Sequence, residues 1–317
     1  MELKDIKSIS DKIIKNINKV IVGRNDIIEL MATALLSGGH VLIEDKPGTG
    51  KTMLAKAFAG SISGVMKRVQ FTPDLMPQDI TGLSIYNRKK EEFEFVAGPV
   101  FANILLADEI NRATPRTQSS LLEAMQELQV TTDGVTRPLE EPFMVIATQN
   151  PVETAGTYPL PEAQLDRFIM KLSMGENDFS EEMAMIDRFI EDDPLDTLAS
   201  VCSLEEIVGM KRLIKKVYVH KCVREYIVNI IMATRGNDKL AYGVSGRGTL
   251  ALTRSCQAYA AIKGRTFVEP EDVKKLAGYV LGHRVMGTCG SASSKRAMDM
   301  MDDIVKSVEV PVENWEI

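Results

Sequence analysis

Short apolar runs alternate with stretches of helical periodicity through about the first 175 residues. Four runs are short enough to be buried parallel strands, namely His40–Glu44, Arg68–Phe71, Asn103–Ala107 and Phe143–Thr148. Helical patterns precede, separate and follow these runs, at 27–36, 51–60, 115–128 and 161–165. Alternating strands and helices pack best as a parallel sheet covered by helices. The pattern therefore predicts an α/β fold here.

Two segments within this region have the pattern of β-hairpins. Residues 131–136 read T-T-D-G-V-T, and Asp133-Gly134 favours a tight two-residue turn. Leu83–Phe95 reads L-S-I-Y-N-R-K-K-E-E-F-E-F, with polar residues between two apolar arms. We expect both segments to project from the main sheet.

The pattern changes near Pro194, after which helical periodicity dominates. The predicted helices are 204–217, 222–235, 247–262, 270–282 and 295–307. We therefore expect two domains, an α/β core at residues 1–180 and an all-helical domain at residues 181–317.

Charge is divided unevenly between these parts. The net charge is −6, but residues 201–290 hold 15 Lys/Arg and 7 Asp/Glu, which gives +8 and leaves −14 for the remainder. A negative body argues against wrapping DNA through phosphate contacts. The positive part has two open explanations, an acidic partner or neighbouring subunit, and an ordinary solvated surface.

Composition also excludes several classes of protein. No apolar run reaches the roughly 18 residues of a membrane span, and the N-terminus lacks the apolar segment of a signal peptide. The cysteines are widely spaced, which favours reduced thiols in the cytoplasm; they are Cys202, Cys222, Cys256 and Cys289. The three histidines, His40, His220 and His283, give little support for a zinc site or a Ser-His-Asp triad.

The segment E-D-K-P-G-T-G-K-T at 44–52 joins a predicted strand to a predicted helix. It matches the phosphate-binding loop G-x-x-x-x-G-K-[ST] except at its first glycine, where this chain has Asp45. In such loops, backbone N–H groups at a helix N-terminus bind phosphates. Aspartate is among the few other residues that tolerate the left-handed backbone region, and its charge should then point away from the nucleotide, so Asp45 is compatible with a nucleotide site.

We assign roles within this loop from its chemistry. Gly48 and Gly50 permit positive φ angles, Lys51 reaches the β- and γ-phosphates, and the Thr52 hydroxyl is a ligand for Mg²⁺. The full set expected to contact the nucleotide is Pro47, Gly48, Thr49, Gly50, Lys51, Thr52 and Met53. The alternative is a capped helix with an unrelated lysine.

Polar residues end two of the other predicted strands. Asp108 and Glu109 follow the apolar run N-I-L-L-A, at the sheet edge where ligands bind in open α/β folds. We expect Asp108 to hold Mg²⁺ and Glu109 to activate the attacking water. Asn150 ends the next strand, where its side chain is placed to hydrogen-bond the γ-phosphate or the attacking water. The alternative for Asp108 and Glu109 is that they are solvated acids at the end of a strand. The alternative for Asn150 is an Asx-turn before Pro151.

Two arginines are candidates for stabilising charge in the transition state. Arg167 follows a short predicted helix, and Arg247 opens a helix of the second domain. A salt bridge between Arg167 and Asp166, or simple solvation of either side chain, would explain them equally.

Taken together, these motifs resemble the MoxR family of AAA+ ATPases over nearly the whole chain. The segments that carry the resemblance are V-I-V-G-R-N at 20–25, the loop at 44–52, G-P-V-F-A-N-I-L-L-A-D-E-I-N-R-A at 98–113, Q-S-S-L-L-E-A-M-Q-E at 118–127, A-T-Q-N-P at 147–151, L-P-E-A-Q-L-D-R-F at 160–168 and V-E-P-E-D-V at 268–273. Loops of this family commonly carry E-D at these positions, so Asp45 looks like a family feature.

The resemblance implies a role for each candidate residue. Lys51 and Thr52 correspond to the Walker A motif, and Asp108 and Glu109 to Walker B. Asn150 corresponds to sensor 1, Arg167 to the arginine finger and Arg247 to sensor 2. Val22 and Gly23 correspond to the adenine pocket, while Arg112 and Arg116 are candidates for subunit contacts. Gly246 departs from the family pattern, which usually has proline before this arginine.

The resemblance also implies an architecture and a function. We expect an AAA+ core with a parallel five-stranded sheet and an all-helical lid, and Leu83–Phe95 as an insertion facing a central pore. The implied activity is Mg²⁺-dependent ATP hydrolysis by a ring, commonly a hexamer, coupled to remodelling or metal-cofactor activation of a client. A partner with a von Willebrand factor A domain is common in the family. The alternatives are a nucleic-acid motor similar to the MCM helicases and a nucleotide-gated scaffold.

Overall fold

The structure, a computed structural model, describes residues 1–151, 156–288 and 294–311, without the side chains of residues 294 and 295. The helices are α1 Leu3–Ile17, α2 Asn25–Leu36, α3 Lys51–Ser61, α4 Pro77–Thr81, α5 Pro115–Glu127, α6 Glu162–Leu165, α7 Phe179–Phe189, α8 Leu204–Leu213, α9 Lys221–Arg235, α10 Gly246–Ile262, α11 Pro270–Leu281 and α12 Ser294–Ser307. The strands are β1 Val41–Glu44, β2 Met66–Gln70, β3 Gly82–Asn87, β4 Glu92–Ala97, β5 Ile104–Asp108, β6 Gln129–Thr132, β7 Val135–Pro138, β8 Met144–Gln149, β9 Met170–Leu172, β10 Leu240–Tyr242 and β11 Met286–Gly287.

A parallel sheet of five strands forms the centre of the fold, in the order β2-β5-β8-β1-β9. Val41 lies opposite Ile146 of β8 and Met170 of β9, and Ile104 lies opposite Met144. Because all five strands run the same way, their carboxyl ends meet at one edge. The predicted parallel sheet is confirmed.

The two faces of the sheet belong to two apolar clusters, because side chains alternate along each strand. Leu42, Leu105 and Val145 pack with α5, whereas Ile43 and Ile146 pack with α1, α2 and α3. The second cluster continues without interruption into the helices after α8. The boundary at 180/181 remains a prediction, and the apolar core is continuous across it.

The C-terminal part is helical, as expected, with two local additions. The predicted helix 204–217 divides into α8 and a 3₁₀ turn at Ile214–Lys216. Strands β10 and β11 form a short antiparallel pair, so the lid is not entirely helical. Cys289 lies outside the described residues, and Cys202, Cys222 and Cys256 are free thiols.

Both predicted hairpins are confirmed. Strands β3 and β4 pair antiparallel, with the Tyr86 and Phe93 rings 5.3 Å apart. Strands β6 and β7 pair through Asp133 and Gly134, whose φ angles are 54° and 74°. Two positive φ angles are what this tight turn requires.

Among the elements that the sequence did not predict are α1, β9 and α7. Helix α1 buries Ile6, Ile13 and Ile17 against the core, at helical spacing. Strand β9 is only three residues long, and α7 follows it along the chain, before α8. Within the described ranges, no helix has the length and apolar character needed to cross a membrane.

Candidate functional site

The loop between β1 and α3 presents backbone N–H groups at the start of a helix. Gly48 and Gly50 have φ angles of 85° and 84°, in the region that side chains disfavour. No atom lies within 4 Å of a Cβ built on either glycine, so the backbone angle and not crowding requires glycine here. An anion in front of this loop would meet several N–H donors and the positive end of the α3 dipole.

Lys51 is held at the mouth of this loop by backbone carbonyls. Its Nζ donates to the carbonyl oxygens of Asp45 at 2.9 Å and Lys46 at 3.2 Å. Burial lowers the Lys51 pKa from its ordinary value, and the nearby carboxylates of Asp45, Asp108 and Glu109 oppose that shift. The ammonium group is therefore held against the loop at the N-terminus of α3.

Asp45 does not use the left-handed conformation that aspartate tolerates, since it is not among the non-glycine residues with positive φ. Its side chain is buried and accepts hydrogen bonds from Ser173 Oγ at 2.7 Å and the Met174 N–H at 2.6 Å. These partners follow β9, the strand beside β1. The carboxylate thus ties the loop to the neighbouring strand, which explains why an acid occupies this position.

Asp108 and Glu109 lie at the carboxyl end of β5, and both side chains have partners. Thr148 Oγ1 donates to Asp108 Oδ1 at 2.6 Å and accepts from the Glu109 N–H at 2.8 Å. Arg68 Nη2 lies 2.6 Å from Asp108 Oδ2. Glu109, with φ at 56°, accepts from Gln70 at 2.8 Å and faces Arg112 Nε at 3.0 Å. Because the backbone at Glu109 is left-handed, the adjacent Asp108 and Glu109 side chains point to different partners.

The loop and the strand ends enclose one cavity of about 820 Å³. It is lined by Pro47, Gly48, Thr49, Gly50, Lys51, Thr52, Met53, Arg68, Gln70, Asp108, Glu109, Asn150, Met185, Ile186, Phe189 and Ile190. Every residue assigned to the phosphate loop, both acids and Asn150 therefore converge here. A cavity of about 710 Å³ adjoins it and is lined by Val22. Gly23, beside Val22, faces Glu181 of α7.

Known proteins are similar to this chain along almost its full length. Residues 40–170 match the model of the "ATPase family associated with various cellular activities (AAA)", and residues 232–307 match the AAA lid domain. Chaperone MoxR1 of Mycobacterium tuberculosis is 38% identical, over 96% of this chain and 83% of that protein. The chain belongs to the MoxR family of AAA+ ATPases.

Two further similarities agree with the MoxR assignment. The uncharacterized protein YeaC of Bacillus subtilis is 47% identical, over 98% of this chain and 97% of its own. The crystal structure of a candidate ATPase from Cytophaga hutchinsonii superposes with a TM-score of 0.89 at 36% identity, covering 97% of this chain and 96% of that one. The α/β core and helical lid are thus the fold of a AAA+ protein.

Helix α7 supplies apolar contacts that sequence reasoning missed. Met185 and Phe189 line both cavities of this MoxR protein. The helix is anchored by the Arg24–Glu181 ion pair at 3.1 Å and by Arg188, which donates to the Asn18 carbonyl at 2.7 Å. Its contact with the loop depends on the path of the chain after β9.

Arg167 lies away from this chain's own phosphate loop. Its Nη1 donates to the Leu122 carbonyl at 2.7 Å, and it does not pair with Asp166. It lines a separate cleft of about 310 Å³, whose other members are Ser119, Leu122, Glu123, Gln126, Glu127 and Gln164. The structure therefore does not bring Arg167 together with Lys51 and Glu109.

Arg247 also lies outside both cavities near the phosphate loop. Ser245 caps α10 through its hydroxyl, which accepts from the Gly248 N–H, and Arg247 Nη1 lies 3.8 Å from Asp166. Asp166 is held more closely by Arg284 at 2.7 Å. Arg116 is exposed at the start of α5. The role of sensor 2 for Arg247 stays a prediction.

The donor set in the main cavity fits magnesium. Thr52 and Asp108 offer hydroxyl and carboxylate oxygens, which this hard cation prefers, and it commonly takes its other ligands from phosphates and water. Among the described residues, no group of three or more His, Cys, Asp or Glu side chains is placed to bind a metal. A magnesium site with two protein ligands, completed by phosphate oxygens and water, would agree with the Thr52–Asp108 pair and with the lack of a larger ligand cluster among the described residues.

Proposed function

We propose that this protein is a Mg²⁺-dependent ATP hydrolase that works on a client protein. The convergence of Lys51, Thr52, Asp108, Glu109 and Asn150 on one cavity carries the proposal. The combination supplies a cation, a metal-ligating pair and a candidate base within reach of one bound triphosphate. The adjoining cavity at Val22 offers room for the base and ribose.

Each residue of the cavity has a chemical task in this reaction. The loop N–H groups and Lys51 bind the β- and γ-phosphates. A Mg²⁺ ion held by Thr52 and Asp108 would neutralise part of the charge on those phosphates. Glu109 takes the proton of the attacking water as general base, and Asn150 orients that water or the γ-phosphate. Gln70 and Arg112 hold the Glu109 carboxylate, so it must leave these partners to meet the water.

Arg167 supports a ring of subunits in this proposal. An arginine finger stabilises the negative charge that develops in the transition state of phosphoryl transfer. Arg167, however, lines a cleft separate from its own chain's cavity. Its task is met if it enters the site of a neighbouring subunit. The proposed assembly is a homo-oligomer, a hexamer by analogy with AAA+ rings, and Arg247 near Asp166 would contribute to the same interface.

The client side of the proposal rests on the relatives and on the β3–β4 hairpin. One relative carries the name Chaperone MoxR1. The hairpin exposes Ile85, Tyr86 and Phe93, a surface suited to a polypeptide. We propose chaperone-like remodelling or metal-cofactor activation in the cytoplasm, with a partner that carries a von Willebrand factor A domain.

The first test is nucleotide binding by Lys51→Ala, measured with a fluorescent ATP analogue and with thermal melting. Lys51 faces the cavity and makes only two carbonyl contacts, so the variant should lose binding and keep its melting temperature. Lys56→Ala, an exposed lysine on the same helix, is the matched control. Unchanged affinity in Lys51→Ala would refute the assignment.

A further inference from the structure

Arg68 holds the carboxylate that we assign to magnesium. Its Nη2 and Nε atoms lie 2.6 and 3.2 Å from Asp108 Oδ2. The other carboxylate oxygen, Oδ1, accepts from Thr148 Oγ1 at 2.6 Å. Both oxygens of Asp108 therefore have a partner, and one partner carries a full positive charge.

A guanidinium in this position opposes a divalent cation. Two positive charges near one carboxylate repel each other, and water screens them only partly because the Asp108 side chain is 15% exposed. Since Thr148 holds Asp108 from the other side, Asp108 is the less mobile partner of the pair. Arg68 is therefore the group that has to move.

Arg68 has room to move. Its side chain is 49% exposed and lines the same cavity as the phosphate loop. It lies on β2, an edge strand of the sheet, and Nη2 already has a second partner in Gln70 Oε1 at 3.1 Å. Leaving Asp108 thus costs one ion pair and requires no change in the buried core.

We propose that Arg68 is an internal competitor of Mg²⁺ for Asp108. It neutralises the carboxylate when the site lacks metal, and binding of the Mg²⁺-nucleotide displaces it. This inference rests on the proposed nucleotide site and adds a residue that sets how much Mg²⁺ the site needs.

The sign of one effect separates this role from a supporting one. If Arg68 merely positions Asp108 for the metal, removing it weakens Mg²⁺ binding. If Arg68 competes with the metal, removing it strengthens Mg²⁺ binding. Arg68→Met keeps much of the aliphatic stem and removes the charge, so it tests the sign directly.

The experiment is a Mg²⁺ titration of fluorescent ADP binding to the full-length protein, which avoids hydrolysis. We expect the half-saturating Mg²⁺ concentration to fall about two- to fivefold in Arg68→Met, the range that a half-exposed charged pair supports. Arg68→Lys keeps the charge but loses the two-donor geometry, so its half-saturating Mg²⁺ concentration should lie between those of the wild type and Arg68→Met. Lys67→Met removes a charge from the neighbouring position of the strand and should match the wild type.

Several results would overturn the proposal. An unchanged or higher Mg²⁺ requirement in Arg68→Met contradicts it, and so does an equal fall in Lys67→Met, which would indicate a general charge effect. If Arg68→Met fails to fold by thermal melting, the same titration of Arg68→Lys decides. Absence of ADP binding in the wild type, with Mg²⁺ or with EDTA, would instead refute the proposed nucleotide site.

Discussion

Replacing Asp45 with alanine should destabilise the fold and the phosphate loop together. Asp45 is buried, and its carboxylate accepts from Ser173 Oγ and the Met174 N–H. The alanine variant leaves the buried Met174 N–H without a partner. The exposed Ser173 hydroxyl can turn to water instead.

The magnitude follows from these two contacts. A buried donor left unsatisfied costs about 1–3 kcal/mol, and the Ser173 bond adds little, so we expect a loss of about 2 kcal/mol. For 317 residues, at about 2.1 cal/mol/K of unfolding entropy per residue, that corresponds to roughly 3 °C in melting temperature. Asp45→Asn keeps an acceptor for the Met174 N–H, and its amide can donate to Ser173, so its loss should be less than about 1 kcal/mol.

The assay is thermal melting, with nucleotide affinity measured alongside. Affinity should fall in Asp45→Ala because the lost carboxylate contacts position the loop, whose backbone carbonyl at residue 45 accepts from Lys51 Nζ. Glu176→Gln is the control, since it breaks the Lys46–Glu176 pair on the same two segments, where both side chains are mostly exposed. An Asp45→Ala variant that melts within about 1 °C of the wild type would refute the reasoning, because less than about 1 kcal/mol would then be involved.

Two further predictions concern acid stability and subunit cooperation. Burial lowers the His40 pKa from 6.5 to about 4, and the charge of Lys211 acts in the same direction. Nδ1 also accepts from the Val145 N–H, which requires that nitrogen to be unprotonated. The unfolded chain therefore takes up this proton first, and unfolding free energy measured by urea titration should fall by up to about 3 kcal/mol from pH 6.5 to 4; a His40→Gln variant with the same slope would contradict this. Arg167→Ala and Lys51→Ala, each inactive alone, should regain ATPase activity when mixed under verified subunit exchange, and no recovery at any ratio would place Arg167 outside a shared site.

The sequence predicts those parts of the site that are local. Lys51, Gly48 and Gly50 lie within one loop, and Asp108 and Asn150 end strands that the apolar pattern reveals. The parallel arrangement then follows, because buried strands separated by helices have few other ways to pack. The shared edge of the sheet brings these residues together without any further information.

The parts that the sequence did not predict depend on contacts between distant segments. Asp45 meets Ser173 only because β9 pairs with β1. Arg68 reaches Asp108 because β2 lies beside β5, with Gln70 opposite Asp108 in the register. Neither pairing has a local signal, and a three-residue strand such as β9 is too short for periodicity to reveal.

The most direct test of the central claim is to compare ATP binding and ATP hydrolysis in Glu109→Gln. Glu109 lines the cavity with Lys51 and Asp108, and we assign it as the general base. The variant should bind ATP as the wild type does and hydrolyse it at least about 10²-fold more slowly, the effect expected for losing a general base. Turnover at the wild-type rate in Glu109→Gln would contradict the account, because Glu109 would then be only an acid at the end of a strand.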